Sequence, residues 1–192
     1  MNYFKMRRKD REMSEEFALE LIDRLPFGVL SMLDGNGLPY GVPLSLIRKE
    51  KNCYFHSAQS GKKVEALKDG SDVCLSFVGN TQIPNLFSDS ELAHFLKEEH
   101  KGQTLISKVF TTEFESAIAF GKIYRVTDEK ESIDAMRLIC EKYTPSKMHL
   151  FDLALRSGMK RTAIYRIETY KITAKRKKFD SQGEEMKWGR ME

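Results

Sequence analysis

The chain is poor in cysteine, with three in 192 residues, and it has one tryptophan and five prolines. Cys53, Cys74 and Cys140 are odd in number, and no two form a CxxC pair. They exclude a disulfide scaffold and give no support to a zinc site. Two lie in apolar, strand-like runs, and all three read as buried reduced thiols of a cytoplasmic protein. A spanning helix, which needs about 20 mostly apolar residues, is also missing. The longest uncharged stretch, Val73 to Ser88, is broken by Asn80, Thr81, Gln82, Pro84 and Asn85. The opening residues, MNYFKMRRKDRE, hold no apolar signal core. No membrane partner is expected.

Strong charge of one sign is absent too. Lys and Arg number 32 against 28 Asp and Glu, a formal net charge of +4. Five of the cations lie in one stretch, Lys171, Lys175, Arg176, Lys177 and Lys178. Removing those five from the 32 leaves 27 against 28, so the rest of the chain is near neutral. A basic face for nucleic acid is therefore not expected, and the stretch reads as a solvated strand end. There is no GxSxG, no HExxH and no evident carboxylate pair. His94 and Glu98 share a helix face while His100, six residues on, points elsewhere, so no metal site is expected.

What is present is an ordinary globular pattern, and the length suits one domain spanning residues 1–192. Ser14 caps a helix whose apolar face is Phe17, Leu21 and Leu25. Gly28 to Leu33 reads as a strand, Asp34-Gly35-Asn36-Gly37 as a turn, and Pro39 to Ile47 as the returning strand. Cys53 to Ala58 is a third strand, which suggests a meander leading to a barrel or sandwich. Gly61 opens a short helix, and Asp72 to Val78 alternates as a strand. Residues 79–113 are least regular and read as a helical insertion, with Leu92, Phe95 and Leu96 on one side. Phe114 to Val126 is a long strand, and Asp128 with Glu131 starts a helix to about Tyr143. Thr162 to Thr173 alternates as the last strand, and residues 175–192 form a polar tail.

The most informative segment is His56-Ser57-Ala58-Gln59-Ser60-Gly61-Lys62-Lys63. A strand ends, a polar turn follows and a helix begins. The first N–H groups of a helix have no internal acceptor, and nearby hydroxyls and lysines add donors and charge. The local sequence admits two readings, a phosphate site and a solvated lysine-rich helix start. It is not a Walker A loop, because position 56 is His and Lys63 stands where Ser or Thr would bind magnesium. Gly35, Gly37 and Gly41 do not make GxGxxG, and a strand follows them. His56 is structural in the plain reading; beside the turn it is a candidate to orient a substrate or deliver a proton.

These pieces, in order, resemble a known family. MRRKDR, PFGVLSMLDGNGLPYGVPLSL, YFHSAQSGKKVEALK, VCLSF, FESAIAFGK and EKYTP run from about Met6 to Lys175. Together they resemble the pyridoxamine 5′-phosphate oxidase-like, FMN-binding split-barrel family, nearest its Nim nitroimidazole-resistance branch. The resemblance implies an α+β fold: a six-stranded antiparallel split β-barrel with flanking helices, forming a homodimer with FMN at the interface. It implies that His56 and Ser57 lie beside the flavin, and that Gly61, Lys62 and Lys63 face its phosphate. The Val42-Pro43-Leu44 backbone would run along the isoalloxazine. Arg7, Arg8 and Ser116 match family positions; Trp188 is a packing residue in the plain reading and otherwise a candidate to cover the flavin or a partner subunit. The implied activity is FMN-dependent reduction of a small electron-poor acceptor, nitro-aromatic or quinone, with His56 as the catalytic candidate. NAD(P)H is a possible reductant that no motif marks. The alternative is a flavin- or haem-binding barrel without turnover. The chain departs from pyridoxamine-phosphate oxidase proper in its ending, EEMKWGRME, which lacks an arginine-rich EFWQ-like segment.

Overall fold

The computed structural model describes residues 5–188. Its strands are β1 Glu12–Met13, β2 Gly28–Leu33, β3 Pro39–Leu44, β4 Ile47–Lys49, β5 Asn52–Ala58, β6 Asp72–Gln82, β7 Glu113–Arg125 and β8 Thr162–Lys177. The helices are α1 Glu15–Arg24, α2 Lys62–Ala66, α3 Asp89–Phe95, α4 Gly102–Thr104, α5 Glu129–Tyr143 and α6 Phe151–Gly158. All paired strands are antiparallel, in the order β3-β2-β6-β7-β8-β5-β4, with β1 beside β8. Six strands have six residues or more and form the expected barrel. The short β1 and β4 raise the count to eight.

Closure of the barrel follows from the chain itself. β3 and β4 are the two ends of the sheet, yet only Ser45 and Leu46 join them. Two residues reach about 11 Å between the flanking Cα atoms, so the ends must approach. The expected continuous strand Pro39 to Ile47 is thus two strands on opposite edges, and the barrel is split where they meet. α5 holds this crossing: the Leu46 N–H donates to Tyr143 Oη at 2.9 Å, and Lys142 Nζ donates to the Leu46 carbonyl at 3.1 Å.

The inward side chains of the strands, Leu30, Phe55, Leu75, Phe77, Ala117, Ala119 and Ile167 among them, form the main core with Leu21 and Ile22 of α1. Ser14 caps α1 as expected, its hydroxyl accepting the Phe17 N–H at 3.2 Å. A second, smaller core lies on the other side of β5, where Tyr54 and Ile164 meet Ala135 and Ile139 of α5. β5 is therefore covered on both faces over its first half, and His56 lies just beyond the cover.

The structure alters several sequence expectations. β6 runs to Gln82, so the helical stretch starts later than residue 79, and beyond Phe95 it is only short helical turns. Leu96 is exposed rather than sharing a buried side with Leu92 and Phe95. The basic stretch is not a solvated end. β8 continues to Lys177, and Arg176 and Lys177 are buried. The Arg176 guanidinium lies over the Phe17 ring at 5.8 Å, while Lys177 Nζ donates to the Ser107 carbonyl at 3.3 Å and to Thr111 Oγ1. The tail after β8 folds back, burying Phe179 and Met186. Residues 189–192, the end of the tail, lie outside the described residues. The three cysteines are free thiols; Cys53 is buried, Cys74 and Cys140 partly so. Among the described residues no helix is long and apolar enough to cross a membrane.

Candidate functional site

The β5–α2 turn brings His56, Gly61, Lys62 and Lys63 together. Gly61 has φ +112°, a value that a β-carbon disfavours, and it aims the chain from strand into helix. α2 has five residues, so its dipole is weak. What remains for an anion is the set of first-turn N–H groups, which no side chain caps, and the two lysines.

The lysines differ. Lys62 is exposed, lies 3.9 Å from Asp34 Oδ2 and packs 4.8 Å from the Tyr40 ring centroid. Asp34 is held low chiefly by the Leu38 and Asn36 N–H groups, with Lys62 a lesser cause. Lys63 is half-buried, with its ammonium 5.7 Å from the Phe55 ring. Burial alone acts on it, pulling its pKa down, and no carboxylate offsets that cost. His56 is also pulled down, first by desolvation and then by Lys63, so its imidazole is neutral at pH 7.

Ser57 does not join His56. Alternation turns it to the interior, where it is buried opposite Ala163 of β8. On β3, Val42 and Leu44 turn inward, Leu44 fully buried, while Gly41 and Pro43 face outward. The contact of Lys62 with Tyr40 places the β5–α2 turn against the start of β3.

A second group forms at the far end of β8. Ser116 of β7 pairs with Lys175, its hydroxyl 3.5 Å from the Lys175 carbonyl. Both line a cavity of about 240 Å³ with Met6, Ile118, Phe120 and Thr173. Burial first, then the neighbouring Arg11, Arg8 and Arg7, lowers the Lys175 pKa. Arg8 is clamped on Asp10, bonding at 2.7 Å through Nε, and holds that carboxyl down to about 2. Trp188 is exposed and donates its backbone N–H to the Asp10 carbonyl at 2.8 Å. Arg7, Arg8, Ser116 and Trp188 thus gather at one end, and His56, Lys62 and Lys63 at the other. Along β8 the ends are about 40 Å of strand apart.

Between them lies the outward face of the sheet. The register sets Pro43, Val29, Ser76, Ile118 and Thr173 in one row, and Gly41, Ser31, Cys74, Phe120 and Lys171 in the next. Among the described residues no helix is stacked on these rows; Val29, Leu33 and Ile118 are exposed. A cavity of about 350 Å³ lies there, bounded by Leu33, Cys74, Phe120 and Tyr170.

Two residues central to the site's support were missed from sequence. Lys142 and Tyr143 fix the β3–β4 crossing beside Val42 to Leu44. Their only signal was the EKYTP string, which carries no mechanism by itself. Lys175 was read as part of a solvated stretch. His100, expected to point away, meets Glu98 at 3.2 Å, because the helix ends at Phe95.

The architecture defines an antiparallel split β-barrel with flanking helices, its outward sheet face left open. Residues 14–91, fewer than half of the chain, match the family model described as pyridoxamine 5′-phosphate oxidase. That stretch is similar to the family, and the match stops short of the second half of the chain. Solved structures agree on the fold. A candidate 5-nitroimidazole antibiotic resistance protein from Bacteroides thetaiotaomicron is 18% identical, with TM-score 0.60 and 85% of each chain covered. A FAD and haem binding protein from Mycobacterium smegmatis is 14% identical, with TM-score 0.67 over 87% of this chain and 73% of the other. The flavocytochrome Anf3 from Azotobacter vinelandii is 16% identical, with TM-score 0.62 over 88% and 72%. At these identities the likeness concerns the fold alone. No curated protein matches the chain in sequence.

Proposed function

We propose that the protein binds FMN as a homodimer and acts as an FMN-dependent oxidoreductase on a small electron-poor acceptor of nitro-aromatic or quinone type. The observation that carries this reading is Lys63, a half-buried ammonium that no carboxylate among the described residues offsets. A phosphate dianion at the β5–α2 turn would meet Lys63, Lys62 and the uncapped first-turn N–H groups of α2. Asp34 weakens the share of Lys62, so Lys63 is the stronger of the two.

The residues present suit the rest of the group. An isoalloxazine needs a flat apolar bed with polar groups at its rim, and the outward face offers Pro43, Val29 and Ile118 beside Ser31, Ser76 and Ser116. The two clusters of candidate residues lie towards opposite ends of β8. Two copies packed through this face would bring Arg7, Arg8, Ser116 and Trp188 of one chain towards the phosphate turn of the other. When bound, the flavin supplies the two-electron chemistry. The protein's part is to hold the phosphate with Lys62 and Lys63, to exclude water by covering the open face, and to orient the acceptor at His56. The neutral imidazole of His56 has one N–H to donate and one ring nitrogen to accept, which suits it to pass a proton. Lys142 and Tyr143 keep β3 in place and touch no reactant.

A second reading is a flavin or haem carrier without turnover, favoured by the haem named for two of the structural relatives. The absorption spectrum of the purified protein separates the two, since haem gives a Soret band. Lys62→Ala with Lys63→Ala tests the phosphate assignment. Each lost charge-assisted contact is worth about 1.5–3 kcal/mol, so FMN should weaken at least about tenfold while riboflavin changes little. Equal losses for FMN and riboflavin, read by fluorescence titration, would remove the assignment.

A further inference from the structure

His56 has a second neighbourhood, away from the outward face of the sheet. Beyond the cover that α5 gives β5, the imidazole borders a cavity of about 200 Å³ roofed by α6. Its walls include Met136, Cys140, Ala154, Leu155 and Met159.

The cavity has a cause in the sequence. Ala154 and Gly158 are four residues apart on α6, so they stack on one face of the helix. Both are small, Ala154 is exposed at the cavity's mouth, and a β-carbon built on Gly158 would meet nothing within 4 Å. Phe151 meanwhile holds α6 on the body of the protein, buried beneath the Arg137 guanidinium at 4.3 Å. One end of α6 is thus anchored, and the other spans a gap.

The walls also define what fits. They carry no carboxylate, lysine or arginine. The Thr162 hydroxyl is already committed, donating to the Gly158 carbonyl at 3.0 Å. Burial raises the Cys140 thiol, which keeps it protonated. The one free polar edge is His56, exposed at the rim. The volume is below the roughly 300–1,000 Å³ of pockets for drug-sized ligands, and a little above a 150 Å³ apolar cavity that admits benzene.

We propose that the cavity beneath α6 binds a neutral, single-ring aromatic molecule whose one hydrogen-bonding atom meets His56. This binding site does not rest on the flavin reading above. Thioether, thiol and aliphatic walls suit a flat polarisable ring, and Met136 and Met159 adapt to its outline. Charged acceptors would face uncompensated desolvation there.

The test uses the full chain with p-cresol as probe and toluene as the control without a hydrogen-bonding atom. Binding is followed by calorimetry and by the His56 ring resonances, assigned with His56→Gln. The expected result is saturable p-cresol binding that shifts those resonances, with toluene several-fold weaker. Ala154→Leu fills the cavity from its roof and should weaken p-cresol at least tenfold while leaving FMN affinity within about twofold. Gly158→Leu does the same from the next turn, in case the first variant does not fold. Unmoved His56 resonances at saturating p-cresol overturn the proposal, as does unchanged affinity in a folded cavity-filled variant. Those two results hold whether or not the protein binds FMN. Loss of FMN binding with p-cresol binding intact would instead overturn the flavin reading alone.

Discussion

Cys53 shows how far a single residue is governed by its place in the sheet. It lies inside the barrel on β5, and burial pushes its thiol from an ordinary 9.0 up to about 12. The sign follows from linkage. The folded state keeps the proton where the unfolded chain has lost it, so this contribution is complete below pH 9 and is lost as pH rises towards 12. The slope is at most about 1.4 kcal/mol per pH unit. Cys53→Ala should therefore flatten the fall in melting temperature between pH 9 and 11, measured against the unaltered chain. In the folded protein Cys53 should also resist thiol reagents at pH 8. This much was legible beforehand, because an apolar alternating run around a cysteine implies an interior thiol. Strand alternation turns Ser57 away from the face of His56 and Tyr54, whereas the family resemblance set Ser57 beside the flavin with His56. The burial of Lys177 was not legible, because its partners, Ser107 and Thr111, lie some seventy residues away and belong to the least regular part of the chain.

At the scale of elements, β7 and β8 are the longest strands, and their pairing is the axis of the sheet. Their register slips once: Phe120 pairs with Lys171 and Gly121 with Thr169, so Tyr170 is the extra residue of a β-bulge. Gly121 stands where the strands come closest. A β-carbon there would lie 2.6 Å from Ile167 Cγ2 and 2.7 Å from the Glu168 carbonyl oxygen. The oxygen is backbone and cannot swing aside. Gly121→Ala should cost roughly 1–3 kcal/mol in denaturant unfolding, the range for forced overpacking. Gly70→Ala is the comparison for a glycine lost from a turn, where φ is +78° and the nearest atom is 3.9 Å away. The sequence announced most strands and capped helices through alternation and punctuation. It did not announce the bulge, or the division of Pro39 to Ile47, since both arise from which strand lies alongside. The alternating run past Leu44 reads as one strand until the sheet's two ends are known to be β3 and β4.

At the scale of the whole molecule, closure of the barrel leaves a sheet face that no helix among the described residues covers. β3, β2, β6, β7 and β8 turn Pro43, Val29, Ser76, Ile118 and Thr173 outward in one row. Small and apolar side chains in adjacent rows make a flat surface, and the charged groups, Lys171 and Lys175, sit at its β8 edge. The proposed homodimer would cover the apolar rows and bring together the two residue clusters separated along β8. Flavin affinity should then depend on assembly. Ile118 stands near the centre of the face, on β7, far in the chain from the phosphate turn. Ile118→Lys adds a charge that two facing copies cannot desolvate together, and because the residue is already partly exposed, the fold of one chain should tolerate it. Sedimentation should find the unaltered protein as two chains and Ile118→Lys as one. The variant should also lose at least tenfold in FMN affinity, although Lys62, Lys63 and His56 are untouched. A single-chain protein that holds FMN as tightly as before would place the whole flavin site within one protomer, and would leave the open face without a role in binding.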